Sequence, residues 1–239
     1  MLLYYIRHGD PIYNPDSLTP LGHEQAKSVA KRLALYGIDE IYSSDSNRAM
    51  QTAHPTCELL KKEKTLLPWA NEGIAWSELT VINEDGNRKW GFQHKPTTDF
   101  FNTPEIRKLG DKWYEHPFFD GTKFKEGILR VQREADSFLD SLGYKHHREE
   151  YYYEATEPNE KRIALFAHQG FGMAFLSSIL DLPYPHFCTH FDISHSSVSV
   201  IQFSGGKNVK IYPQLLQLAN DSHLYRDGLL TGYNNGTRI

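Results

Sequence analysis

Apolar positions along the first 60 residues alternate between a strand period and a helix period. Residues 2–6 form a continuous run of Leu, Tyr and Ile, which predicts a buried strand ending at Arg7. A polar loop with Pro11, Asn14 and Pro15 follows. Thr19-Pro20 then marks a helix start, an N-cap hydroxyl ahead of proline at the first helical position. Ala26, Val29, Ala30, Leu33 and Ala34 share one helical face, and Gly37 closes the helix. Residues 38–42 read as a second strand and 43–47 as a polar turn. Arg48 opens a second helix that Pro55 is expected to kink or interrupt. This β-α-β-α order predicts an α/β fold: a three-layer α/β/α sandwich with a mostly parallel central sheet.

Between residues 71 and 122 the periodicity weakens, apart from a short helical stretch near 104–115. The segment reads as an inserted cap within one domain spanning 1–239. Its aromatic residues, Trp69 and Trp76 to Phe119, are expected to form a small core of the cap's own. Residues 124–142 carry a strong amphipathic pattern through Ile128, Val131, Ala135, Phe138 and Leu139. Residues 144–160 read as a polar surface loop that leaves His146 and His147 solvated. Residues 163–167 are a strand, followed at once by His168-Gln169-Gly170 and an apolar helix to Leu182. Strands at 196–203 and 209–213 are expected to pair across a Ser204–Asn208 hairpin. Residues 231–239 read as a loose tail.

Composition narrows the function. At 39% hydrophobic and 23% charged, the 239 residues suit one globular domain. The formal net charge of −4 supplies no global positive field, so neither nucleic acid nor an anionic membrane is an expected partner. Cys57 and Cys188 are widely separated, which excludes a thiolate zinc site and a disulfide framework. The N-terminal run is too short for a signal segment and no stretch matches a membrane span, so a cytoplasmic location is expected. No HExxH or clustered Cys/His pattern calls for a metal, and no cofactor is expected. His23, His54, His190 and His195 read as structural histidines, although His190 and His195 could line a pocket.

Chemistry concentrates at strand ends. Arg7-His8 follows the first strand, Arg48 follows the turn after the second, and His168 follows the strand at 163–167. In an open α/β sheet, ligands bind beyond the carboxyl ends of the strands. Two histidines and two arginines therefore converge into a candidate phosphate pocket. Guanidinium forks bind oxyanions bidentately, and a neutral imidazole is a nucleophile.

Arg7-His8-Gly9, Asn14, the run Leu18-Thr19-Pro20-Leu21-Gly22-His23-Glu24-Gln25-Ala26, Tyr42-Ser43-Ser44 through Arg48-Ala49 to Gln51-Thr52-Ala53, and the strand before His168 together resemble the histidine phosphatase superfamily, also called phosphoglycerate-mutase-like. The resemblance is dense over the first quarter of the chain and looser over 161–203. It implies a phosphomonoester hydrolase that acts on a small phosphorylated molecule through a phosphohistidine at His8. Arg7, Arg48 and His168 would hold the phosphoryl oxygens. Asn14, Gln169 and backbone amides near Gly9 would complete the cradle. By position, Glu72 would be the general acid, with Glu78 as runner-up.

The sequence departs from the family's commoner pattern at Asp10-Pro11, at Ser44-Asp45-Ser46-Asn47, where Asp45 stands near a cationic site, and at Gln169. Three alternatives stay open: a phosphoglycerate-type phosphomutase, a non-catalytic phosphate-ligand binding protein, and a metal-dependent hydrolase. The short segment between Gly9 and the first helix favours hydrolysis over phosphomutase chemistry. The cap's Arg88, Lys89, Lys95, Arg107 and Lys108 leave sugar phosphates, nucleotides and phosphorylated proteins all open as substrates. Oligomeric state is not readable.

Overall fold

The computed structural model describes residues 1–239. Six strands form the central sheet: β1 (Leu2–Arg7), β2 (Glu40–Ser43), β3 (Lys64–Leu66), β4 (Arg162–Ala167), β5 (Val198–Gln202) and β6 (Gln214–Asn220). Their spatial order is β6-β5-β1-β4-β2-β3. The strands β1, β4, β2 and β3 run parallel, and β5 and β6 add an antiparallel edge. Successive side chains of a strand point to opposite faces. Tyr4 and Ile6 accordingly join one apolar cluster, with Val29 and Leu33 of helix α1 (Pro20–Tyr36) and Ala53 of α2 (Asn47–Leu60). Leu3 and Tyr5 face the larger cluster, formed with α4 (Phe124–Ser141) and α5 (Gln169–Ile179), while α3 (Glu72–Glu78) lies in the chain between β3 and α4. The result is the three-layer α/β/α sandwich expected from the element order. Ile6 is fully buried, and truncating it to Ala costs about 2–5 kcal/mol.

Local signals set the element ends. Thr19 Oγ1 accepts the Gly22 amide at 3.0 Å and starts α1, and Gly37, at φ 72°, ends it by donating its amide to the Leu33 carbonyl. Pro55 does not interrupt α2, which runs through it from Asn47 to Leu60. Its missing amide costs one hydrogen bond, but Ala49, Thr52, Ala53 and Thr56 bury one face of the helix and hold it together.

Four further expectations are corrected. The cap aromatics are not a separate core: Phe101, Trp113, Phe119 and Phe124 belong to the same cluster as Leu165 of the sheet. Residues 144–160 are not a loop, because Tyr144–His147 and Tyr152–Ala155 form an antiparallel pair. The His146 ring is buried there, stacked on Tyr153 and hydrogen-bonded to Asp136 (2.8 Å) and Asp181 (3.2 Å). The strand β5 pairs with β6, whereas Lys210–Ile211 crosses to Tyr152–Ala155. Residues 231–239 are tied to the site by Asn234.

Candidate active site

Register brings distant histidines together. In the β1/β4 pairing Arg7 lies opposite Ala167, and the His8 amide donates to the Ala167 carbonyl at 2.9 Å. The residues after these two strand ends, His8 and His168, place their ring centroids 5.2 Å apart. One strand over, the Ser44 amide donates to the Phe166 carbonyl at 2.9 Å, so the β2 turn carrying Ser44, Asp45, Ser46 and Arg48 joins the same edge. The loop after His8 is fixed by close backbone approach. A side chain at Gly9 would meet the Gly22 carbonyl at 2.6 Å, so only glycine fits between this loop and α1.

His8, Arg7, Arg48, Glu72 and Gln169 line one cavity of about 770 Å³. The His8 ring is buried, and its Nδ1 lies 2.7 Å from the Gly9 carbonyl, an acceptor only, so Nδ1 carries the proton and donates the hydrogen bond. That bond leaves Nε2 as the atom carrying the lone pair. Burial, and then the neighbouring His168, Arg7 and Arg48, push the His8 pKa well below the ordinary histidine value, so the ring is neutral.

His168 is fully buried, and burial followed by Arg48 and Arg7 lowers it in the same way. Its Nε2 lies 2.8 Å from Ser44 Oγ and 3.1 Å from Ser46 Oγ. With either serine hydroxyl donating to Nε2, the His168 proton sits on Nδ1.

Both arginines are partly committed. Arg7 Nη1 donates to the Ile193 carbonyl at 2.6 Å and Nη2 to Asn234 Oδ1 at 2.5 Å. Arg48 Nη1 donates to Asp16 Oδ1 at 2.7 Å. Arg7 Nε, Arg48 Nε and His168 Nδ1 are buried without any partner in the protein. An unsatisfied buried donor costs about 1–3 kcal/mol. Three around one imidazole make a site short of acceptor oxygens.

Glu72 sits at the first turn of α3, capped by Asn71, whose side chain accepts the Gly73 amide. Its carboxyl accepts the Gly170 amide at 2.9 Å and the Phe171 amide at 3.1 Å, both from the first turn of α5. Burial raises its pKa, and the two amides oppose that rise. Glu78 is elsewhere: it is held by Arg130 Nε and Nη2 at 2.8–3.0 Å and does not line the cavity.

Other expected members of the cradle are displaced. Asn14 is exposed on the hairpin that follows β1 and does not line the cavity. The Gly9 amide is taken by Thr52 Oγ1 at 3.0 Å, so it is not free for a phosphate. Gln169 lines the cavity, but its amide is clasped by Asp192 and by Asn234. None of Arg88, Lys89, Lys95, Arg107 and Lys108 reaches the wall.

The sequence reading missed Asp16 and Asn234, and it took His195 for a structural histidine that could line a pocket. Asp16 also accepts the Asn47 amide at 2.7 Å and so fixes the start of α2. Asn234 links Arg7, Gln169 and His195. His195 lies with its ring 5.9 Å from His8, its pKa pulled down to about 3 by burial and by Arg7. Asp45 accepts from the Asn71 side chain at 2.5 Å and thereby steadies the cap of the Glu72 helix. No local pattern marks these residues, since each acquires its role across a long sequence separation.

A neutral imidazole among unpaired buried donors, at the carboxyl edge of a parallel sheet, defines a phosphate-handling α/β enzyme. The chain belongs to the histidine phosphatase superfamily (branch 1), whose model matches residues 3–212. That membership makes it a phosphomonoester hydrolase by class. A Hydrogenobacter thermophilus protein named as a candidate phosphoserine phosphatase is 24% identical over 155 residues, covering 61% of this chain and 68% of its own. Among solved structures, a mutant phosphoserine phosphatase of Entamoeba histolytica in complex with phosphoserine superposes with a TM-score of 0.59 at 20% identity, over 93% of this chain and 98% of its own. A mycobacterial glucosyl-3-phosphoglycerate phosphatase superposes with a TM-score of 0.59 at 19% identity, over 91% and 98%. No helix is long and apolar enough to cross a membrane.

Proposed function

We propose that the protein hydrolyses phosphomonoesters of small molecules without a metal ion, through a phosphohistidine on His8. The observation that carries this reading is the neutral His8 ring with Arg7, Arg48 and His168 as its neighbours, whose Nε, Nε and Nδ1 atoms are buried without a partner. In the first step His8 Nε2 forms a bond to phosphorus while the ester P–O bond breaks. The Glu72 carboxyl gives its proton to the departing alkoxide oxygen. The Gly9 carbonyl, accepting from Nδ1, orients the ring and steadies the charge it gains. The two guanidiniums and His168 spread over the phosphoryl oxygens in the transition state. In the second step water attacks phosphorus, the P–N bond breaks, and the Glu72 carboxylate takes the water proton. The sum is one ester and one water consumed, and one alcohol and one inorganic phosphate formed.

The test is mass spectrometry of the enzyme quenched in alkaline denaturant and kept at alkaline pH, during turnover of p-nitrophenyl phosphate with strong chelator present. The expected result is base-stable phosphate on His8 and turnover undiminished by chelation. Turnover lost to the chelator and restored by a divalent cation would overturn the metal-free reading. Turnover without phosphate on His8 would overturn the covalent one.

A further inference from the structure

The cavity is larger than a phosphoryl group requires, and its far wall differs in charge from its base. Arg7 and Arg48 are the only Lys or Arg side chains that line it, and both belong to the phosphate end. The other formal charges on the wall, apart from Glu72, are the carboxylates Asp16 and Asp45. No Lys or Arg beyond these two lines the cavity to meet a second acidic group of a substrate. A like-charge approach in a partly desolvated cleft is costly.

The wall offers flat apolar surface instead. The Trp90 indole rests directly on Gly170, where a side chain would come within 2.4 Å of it. Gly170 is also the residue whose amide holds Glu72, so the indole stands beside the carboxyl group that faces the leaving oxygen. Trp76 meets Trp90 edge-on with centroids 4.9 Å apart, and Phe92 stacks behind Trp90 at 5.6 Å, which fixes the ring. Trp76 is partly exposed and Trp90 is buried, so Trp76 presents most of the ring surface on this wall and Trp90 backs it. Uncharged Gln93 completes this side.

We propose that the alcohol half of the substrate is an electrically neutral ring, aryl or glycosyl, with no second acidic group, seated against Trp76 and Trp90. The assignment rests on the phosphatase reading above and adds the class of leaving group. An indole face suits both members of that class, since aromatic rings stack on it and the C–H faces of a sugar pack against it.

The test is titration calorimetry on the His8→Ala variant, which holds esters without turning them over. The probes are inorganic phosphate, methyl phosphate, phenyl phosphate, 4-carboxyphenyl phosphate and a hexose phosphate. Phenyl or hexose phosphate should bind at least tenfold more tightly than methyl phosphate. The carboxylated ring should bind at least tenfold more weakly than its neutral parent. W76A, a change at a partly exposed residue, should weaken the ring esters several-fold and leave methyl phosphate unchanged. D45N, which keeps an oxygen to accept from Asn71, should narrow the gap between the two aryl esters. Inorganic phosphate binding with no preference for a ring, or with the carboxylated ring preferred, would overturn this inference alone. Failure of every phosphate to bind would overturn the phosphate-pocket reading, and this one with it.

Discussion

Glu72 accepts the Gly170 amide at 2.9 Å, so one helix terminus holds both the carboxyl group and, at its N-cap, His168. The carboxyl group and the His168 imidazole are therefore spaced by the backbone of α5, which is buried along its entire length. Positioning through a rigid element preserves catalytic geometry better than positioning through a loop.

Glu72→Gln removes the transferable proton while keeping one oxygen to accept an amide. Turnover of an alkyl phosphate should fall by about 10²–10⁴-fold, the usual contribution of a general acid. Loss with p-nitrophenyl phosphate should be much smaller, because nitrophenolate departs without help. Steady-state kinetics over a series of leaving groups checks this, and a uniform loss across the series would exclude Glu72 as the acid.

The pH profile should bear the signature of both buried groups. His8 is held below the ordinary 6.5, so it is already unprotonated and nucleophilic at pH 6.5, and the acid limb of kcat/KM lies under that value. Glu72 is held above the ordinary 4.5, and activity falls on the alkaline side as it loses its proton. Comparison of wild type with Glu72→Gln cancels the substrate's own ionisation. The variant should lose the alkaline limb and keep the acid one. An enzyme-borne acid limb at or above pH 6.5 would contradict a neutral, desolvated His8.

Asn234→Ala should leave the fold intact and weaken phosphate binding. It strips Arg7 Nη2 of its acceptor and frees the Gln169 and His195 side chains together. A hydrogen bond to a charged group contributes about 1.5–3 kcal/mol, which corresponds to roughly 10- to 100-fold in kcat/KM. As a positioning residue, Asn234 should move the inhibition constant of inorganic phosphate in step with kcat/KM. An unchanged phosphate constant would remove it from the site.

The buried His146 makes stability depend on pH independently of catalysis. Burial pushes its pKa down, but the hydrogen bonds to Asp136 and Asp181 outweigh that, and the folded value stands above the ordinary 6.5. The folded state therefore binds its proton more tightly than the unfolded chain does. This contribution is complete below pH 6.5 and is lost as pH rises through the folded pKa. Thermal melting of the wild type should show this loss on the alkaline side, and His146→Gln should flatten it. A variant with the same alkaline slope would show that the pair is not the cause.

How much of this was legible in the sequence depended on distance along the chain. The caps at Thr19 and Gly37, the apolar face of α1 and the parallel order of the strands are local signals, and they appear as expected. His8 and His168 were legible because each directly follows an apolar run, and a parallel sheet must bring such ends to one edge. The tail at 231–239 and the segment at 144–160 misled for one reason. Both are polar, and composition does not tell a solvated polar stretch from one whose groups are paired inside the protein.

The sequence by itself determined the α/β layering and the meeting of Arg7, His8, Arg48 and His168 at one edge of the sheet. These follow from periodicity and from steric rules that act over a few residues. Glu72 was placed ahead of Glu78 by position alone, and only the tertiary structure showed which of the two carboxyl groups lines the cavity. Glu72 and Glu78 differ little in local context, yet the first meets two amides of α5 and the second is consumed by Arg130. It likewise decided that Asp16 and Asn234 grip the arginines and that Trp76 and Trp90 line the cavity. Such contacts join residues as many as 227 positions apart, where pairing is set by how whole elements dock and not by any pattern along the chain.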